Sequence, residues 1–405
     1  EHGVISEFKS PLFFSRNKMI SPSRRMASVQ QPIIPVIGDL ILANPGTISL
    51  GQGIVHYPPP ADIEGGIRMF WDDPTAHQYG PVEGLEPLRS ALSEKLVSEN
   101  RISLEGREVV VTAGSNMGFL NLLLAITDPG DEVILPKPFY FNQEMAVRIA
   151  DCVPVTVPTD ANGHLQIEAI ESAISKKTRA VVTVSPNNPT GIVYPEAALR
   201  AVNTLCRDHG VYHISDEAYE YFLYDSAEHF SPGAIEGSES YTICLYSLSK
   251  AYGFASWRIG YAAIPKNLFG ALRKVQDTNV ICATAISQYA ALGALEAGAD
   301  YCRPYLADMA IVRRQGIEAL STLGDKVSLL PNSGAFYLFV EVPGYDGDGL
   351  DLARVLIERF GVAVIPGSAF GIIDRCAFRA SFGALQSDSA IAGLDRLVTG
   401  LKSLL

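Results

Sequence analysis

The sequence predicts an α/β protein: a large, mostly parallel sheet sandwiched by helices, with a smaller α+β unit attached. Three observations carry that expectation. From about residue 84 to 265, short apolar runs alternate with stretches of helical periodicity, the pattern of parallel strands joined by crossover helices. After about residue 300 the rhythm changes to helix, strand, helix and further short strands. The scale fits as well: 405 residues, 47% hydrophobic and 19% charged, suffice for two domains and exclude a disordered chain.

In order along the chain, residues 1–23 read as an N-terminal arm. Lys9, Arg16, Lys18, Arg24 and Arg25 among serines carry a faint transit-peptide flavour, which Glu1 and Glu7 weaken. Residues 24–55 are expected to contribute to the small domain, 56–298 to form the large one, and 299–405 to complete the small one. Leu85, Leu88, Leu92, Leu96 and Val97 recur at helical spacing within 84–100. Residues 108–112, 132–135, 180–185, 211–215 and 241–246 read as strands, and 115–126 and 195–209 as helices, with Pro195 at a first helical position. Beyond residue 300, helices are expected over 301–323, 350–360 and 388–404, and strands over 334–340, 362–365 and 377–382.

The net charge of −12, with no Lys/Arg run, lacks the footprint of nucleic-acid binding. It leaves room for a small anion held by a few cations and backbone N–H groups. Six dispersed cysteines without a C-x-x-C pair argue against a disulfide framework and a thiolate metal site. A reducing, cytoplasmic setting is expected, with no membrane partner, because no apolar run reaches spanning length. His209 and His213 are four apart, but Gly210 and the strand-like residues between them argue against a metal pair, and no metal site is expected. Gly51-Gln52-Gly53 runs on to His56 without the third glycine of a dinucleotide fingerprint.

In open α/β sheets, ligands lie beyond the carboxyl ends of the strands. Those ends deliver Gly114-Ser115-Asn116 at a helix start, Pro138-Phe139-Tyr140, Asn187-Asn188-Pro189, Asp216-Glu217-Ala218-Tyr219, and Ser247-Leu248-Ser249-Lys250 with Arg258 eight residues on. Pyridoxal 5′-phosphate needs that mixture: a lysine amine for its aldehyde, a carboxylate for its pyridine nitrogen, donors for its phenolic oxygen, and an anion cup for its phosphate. An aromatic plate over the ring completes the set.

The chain resembles the class I/II, fold-type I pyridoxal-phosphate-dependent aminotransferases. The matching stretches are S-P-N-N-P-T-G (185–191), S-D-E-A-Y (215–219), S-L-S-K (247–250), W-R-I-G-Y (257–261) and F-R-A-S-F (378–382), joined by Y-G-P-V-E-G-L (79–85) and V-I-P-G-S-A-F-G (364–371). The resemblance implies Lys250 as the Schiff-base lysine and proton shuttle, and Asp216 as the pyridinium partner. It implies Asn188 and Tyr219 as donors to the phenolic oxygen, Ala218 against one ring face and Tyr140 against the other. Ser115, Asn116, Ser247 and Arg258 match the phosphate cup, Ser249 is a further cofactor-binding residue, and Tyr79 matches a residue donated to the phosphate across a homodimer interface. Arg379 matches the arginine that grips a substrate α-carboxylate, assisted by Asn188 and by the backbone at Gly53.

Each residue also has a plainer reading. Lys250 alone could be a solvated surface residue, Asp216 a helix N-cap, and Asn188 part of a turn. Phe139 or Phe141 could take the place of Tyr140. Arg379 resists such a reading, because a charge in an apolar strand must be paired or must grip an anion.

The implied reaction is amino transfer between an L-amino acid and a 2-oxo acid. Residues 277–287, where some family members carry an arginine for a distal carboxylate, hold no cation, and Asn116 stands where one aspartate-using branch has lysine. Tyr57, with Ile54 and Val55, suggests an apolar pocket for aromatic or methionine-like side chains. The alternatives are an aspartate aminotransferase, or a lyase of the same fold, of the cysteine-conjugate β-lyase or aminocyclopropane-carboxylate synthase type.

Overall fold

The computed structural model describes residues 21–405. The expected arm lies largely outside the described residues. Seven strands form the main sheet: β2 (Arg107–Thr112), β3 (Glu132–Lys137), β4 (Val153–Pro158), β5 (Thr178–Val184), β6 (Tyr212–Asp216), β7 (Thr242–Ser247) and β8 (Gly260–Pro265). β1 (Ile48–Ser49) precedes them. The order across the sheet is β2-β8-β7-β6-β5-β3-β4, and only β8 runs antiparallel to its neighbours. The strands are apolar on both faces because both are covered. Val109 and Val111 point into one hydrophobic cluster and Val110 into another; Cys244 and Tyr246 alternate in the same way with Ile243 and Leu245.

A second sheet of four antiparallel strands combines β9 (Ser328–Leu329), β10 (Tyr337–Glu341), β12 (Ile365–Pro366) and β13 (Ala377–Ser381). Between them in sequence, β11 (Val362–Ala363) pairs in parallel with β1, tying the two ends of the chain together. The Ser381 N–H donates to the Leu50 carbonyl at 2.6 Å, so the chain leaving β1 runs beside β13.

Most element boundaries fall within two or three residues of the sequence expectation, with three differences of substance. Pro195 caps the helix Glu196–His209 from outside rather than opening it, with ψ at 145°. The strand expected over 334–340 begins only at Tyr337, because Ala335 takes a left-handed conformation. The stretch expected as one strand over 362–365 is two short strands that join different sheets. His213, set aside as a metal ligand, is fully buried between Thr183 (2.9 Å) and Asn203 (3.1 Å).

Candidate active site

The carboxyl ends of β2, β5, β6 and β7 and the amino end of β8 meet at one edge of the main sheet, because Gly260 pairs with both Thr112 and Ser247. A cavity of about 70 Å³, partly open to solvent, lies there. Its lining is Ser115, Asn116, Tyr140, Val184, Asn188, Asp216, Ala218, Tyr219, Ser247, Ser249, Lys250 and Arg258. A second recess shares Tyr140, Asn188, Tyr219 and Lys250 with it, and its further lining includes Gly53, Tyr337, Arg379, Pro32, Ile33, Ile34, Ile54 and Phe141.

Lys250 rides on a single-turn helix, Leu248–Ala251, whose first turn is capped by Ser247: its Oγ accepts the Ser249 N–H at 3.2 Å. The Lys250 amine donates to the Gly53 carbonyl at 2.6 Å. Burial, joined by the charges of Arg379 and Arg258 and opposed by that of Asp216, lowers its pKa from 10.5 to about 8. The amine is therefore available as a base near neutrality.

Asp216 ends β6 and is buried. No helix follows it, so the N-cap reading fails; its Oδ1 accepts from the Ala218 N–H (3.3 Å) and its Oδ2 from the Gln143 amide (2.8 Å). Burial raises its pKa to about 6, despite those two donors. A buried carboxylate raised this far is poised to take a cationic partner.

The amino end of the helix Ser115–Ile126 faces the cavity without a side-chain cap, so its first amides are free for an anion. Arg258 arches over the preceding turn. φ at Gly114 is +82°, which favours glycine, and a Cβ there would lie 2.2 Å from the Arg258 guanidinium and displace it from this position. Arg258 itself holds a left-handed conformation, φ 57°, and donates to the Ala255 carbonyl at 2.8 Å.

Arg379, on β13, is 2% exposed and meets no carboxylate. Nη1 donates to Asn188 Oδ1 (2.8 Å), Nη2 to the Gly51 carbonyl (2.6 Å), and Nε has no partner. A buried guanidinium served only by neutral groups and left with one orphaned N–H is a receptor for an anion; uncompensated, it would cost several kcal/mol. Asn188 thus has a function beyond any turn, since its amide also donates to Tyr219 Oη at 3.3 Å. Gly53 is required here as well, because a Cβ would stand 2.8 Å from Tyr337 Oη.

Tyr140 lines both recesses, Phe141 only the second and Phe139 neither, which favours Tyr140 among the three. Tyr79 is 84% exposed and lines neither recess of its own chain. Tyr57 and Val55 do not form the pocket wall expected of them. Tyr57 is buried, stacks on Tyr305 at 4.1 Å and donates to the Lys250 and Ala251 carbonyls, bracing the lysine's helix from behind. Ile54 does line the recess. Gln143 and Tyr337 escaped the sequence reading. Gln143 signalled itself only as a polar side chain on the buried face of a helix, Tyr337 only as one strand aromatic among several.

These groups fit pyridoxal 5′-phosphate: an open helix end beneath an arginine, a buried carboxylate and a base-competent lysine share one cavity, and an orphaned guanidinium N–H lies in the recess beside it.

Comparison with known proteins agrees. The profile of the family described as Aminotransferase class I and II matches residues 45–396. The chain is 37% identical over 391 residues to Aromatic aminotransferase ISS1 of Arabidopsis thaliana, covering 95% of this chain and 97% of that one. It is 34% identical to a probable aspartate/prephenate aminotransferase of Aquifex aeolicus, covering 88% of this chain and 91% of that one. Among solved structures, a single mutant of Thermus thermophilus aspartate aminotransferase superposes with a TM-score of 0.86 at 31% identity, covering 94% of this chain and all of that one. The chain belongs to the class I and II aminotransferases, fold-type I enzymes that work with pyridoxal phosphate.

Proposed function

We propose that this aminotransferase binds pyridoxal 5′-phosphate in the cavity around Lys250 and moves amino groups between aromatic or methionine-like L-amino acids and 2-oxo acids. The cofactor, when bound, supplies an aldehyde that links covalently to amines and a protonated ring that accepts an electron pair. The Lys250 amine, its pKa lowered by burial to about 8, takes the proton from the substrate α-carbon. Asp216 holds its negative charge beside the ring nitrogen, steadied by Gln143 and the Ala218 N–H. Tyr219 and Asn188 direct donors at the ring oxygen, and Tyr140 and Ala218 flank the ring. Ser115, Asn116, Ser247, Ser249, Arg258 and the free helix amides hold the phosphate. Arg379 orients the α-carboxylate through its unpartnered Nε–H, with Asn188 and the Gly53 backbone beside it.

The observation that carries the substrate class is the wall of the second recess. Among the described residues that line it, Lys250 and Arg379 are the only cations, and both already have tasks; Pro32, Ile33, Ile34, Ile54 and Phe141 supply apolar wall beside the uncharged polar groups of Gln52, Asn142, Asn188 and three tyrosines. A distal carboxylate there would be desolvated without a partner. The relative named as an aromatic aminotransferase supports this reading, and those named for aspartate support aspartate as the second.

The protein acts in this reading as a homodimer. Met69 (56%), Trp71 (63%) and Tyr79 (84%) are large apolar or aromatic groups exposed on one chain, and Tyr79 completes the phosphate cup of the other. Residues 56–298 form the cofactor-binding body, and 24–55 join 299–405 in a smaller one, a division supported by the β1–β11 pairing. The six cysteines, all unpaired, support a reducing setting such as the cytoplasm. No helix among the described residues is long and apolar enough to cross a membrane.

A panel of twenty amino acids, read as single-turnover changes in the bound cofactor's absorbance, tests the substrate class. Phenylalanine, tyrosine, tryptophan or methionine should convert faster than aspartate. A clear preference for aspartate or glutamate overturns the assignment, and ammonia released without dependence on an amino acceptor points to the lyase alternative.

A further inference from the structure

The Tyr219 hydroxyl has one proton to give and two lone pairs to fill. Asn188 presents its amino end to that oxygen: Arg379 donates to Asn188 Oδ1 at 2.8 Å, which fixes the carbonyl end, and Nδ2 then lies 3.3 Å from Tyr219 Oη. The other neighbour is Tyr337, whose Oη stands 2.7 Å from that of Tyr219, with both side chains buried.

Which phenol donates follows from what surrounds them. Tyr337 opens β10, where the register sets Ser381 opposite it and Arg379 opposite Phe339, so Tyr337 and Arg379 are diagonal neighbours on one face of the sheet. The guanidinium lies 4.4 Å from the centre of the Tyr337 ring. A cation over a phenol ring favours the phenolate and makes its O–H the better donor. Burial pushes Tyr337 up to about 12, with Arg379 the chief opposing charge, while Tyr219 is pushed well above its ordinary value by burial and by the neighbouring tyrosines, Arg379 opposing there only as the least of the causes.

We infer that Tyr337 is a positioning residue: it donates to Tyr219, fills the second lone pair of that oxygen, and leaves the Tyr219 proton no direction but the cavity. Tyr219 thereby reaches the cofactor with its donor already aimed, and a phenol that accepts two hydrogen bonds is itself a stronger donor. The inference rests on the proposed placement of Tyr219 against the cofactor's ring oxygen. It adds a contribution of β10, an element of the second sheet, to the electronics of a group held by the first.

The test is a pH titration of the bound cofactor's visible absorbance in four proteins: the natural chain, Tyr219→Phe, Tyr337→Phe and the double variant. Phenylalanine at 337 keeps the ring beneath Arg379, and circular dichroism checks the fold. Removing a donor from an anionic oxygen raises the pH at which the chromophore loses its proton. Tyr219→Phe should raise the midpoint by about one unit. Tyr337→Phe should raise it by roughly half a unit, about threefold in the equilibrium constant, and should add nothing once Tyr219 is phenylalanine. An unmoved midpoint in Tyr337→Phe, or an equal shift in both backgrounds, overturns the inference. If Tyr219→Phe itself leaves the midpoint unmoved, the placement of Tyr219 fails, and the inference falls with it.

Discussion

Arg258 and Arg379 stand at opposite ends of one pocket and are held in opposite ways. Arg258 is exposed, sits on a loop in a left-handed conformation, and makes one bond to a carbonyl. Arg379 is buried, fixed in the middle of a strand by two neutral partners and two aromatic rings, and keeps an N–H unpaired. With its site empty, an exposed guanidinium is served by water; a buried one bears a standing penalty. The difference suits their proposed ligands. A phosphate that stays bound can be met by a flexible cation and a helix end, whereas carboxylates that come and go in every cycle need a receptor whose geometry does not relax between visits.

Lys250 bridges the two ends, and replacing it should have the largest effect. Lys250→Ala should lower turnover by more than about 10⁴-fold and abolish the chromophore that borohydride reduces. Peptide mapping after reduction of the natural protein should find the cofactor on Lys250; a label on another lysine breaks the assignment.

The comparison itself is tested by exchanging its halves. Arg379→Ala should cut kcat/KM for amino acid and oxo acid alike by about a hundred- to a thousandfold, with cofactor retention unchanged. Arg258→Ala should weaken cofactor binding by about ten- to a hundredfold while leaving KM nearly unmoved when cofactor is saturating. Equilibrium dialysis and steady-state kinetics read both. If either variant shows the other's signature, the division between the ends is wrong.

Between the two cations lies a buried carboxylate, which gives a measurable pH dependence. Asp216 titrates near 6 in the fold, against an ordinary 3.8. Between those values the folded chain keeps a proton that the unfolded chain has lost. The group's contribution is therefore present below about pH 4 and lost as pH rises through 6, about 3 kcal/mol in all. Denaturant titrations of the cofactor-free protein should show the natural chain losing that much relative to Asp216→Asn across this window. Parallel curves would mean that the carboxyl is not buried as described.

The smallest effect belongs to Tyr79. Tyr79→Phe should loosen cofactor retention by only about two- to tenfold, the worth of one hydrogen bond, without unfolding the protein. Sedimentation should show a dimer, and an active monomer would contradict a phosphate cup shared between chains.

The lining of the first cavity was far more legible in the sequence than that of the second recess. Ser115, Asn188, Asp216, Ser247 and Lys250 each follow a short apolar run, so the rule that ligands gather beyond strand ends found them with no knowledge of packing. Arg379 was legible because a charge inside an apolar strand demands an explanation. The substrate wall was not, since it comes from Pro32–Ile34 and Ile54, far from any strand end of the main sheet, and apolar residues there look like any core. Tyr57 shows the same limit in reverse: proximity in sequence to Gly53 suggested the pocket, but the chain turns its ring away to stack on Tyr305. Tyr337 depended on a cross-strand register that no local pattern encodes.

The left-handed backbone at Arg258 also bears on how this chain can change. Glycine would occupy that conformation with less strain, by about 1 kcal/mol or more, so the position is one where function and durability select different residues. A directed-evolution campaign that scored heat tolerance of cofactor-free protein would drift toward glycine here and lose the cation proposed to hold the phosphate. The same campaign run with cofactor in excess would keep the arginine, because the ligand then rewards the strained form in every round of selection.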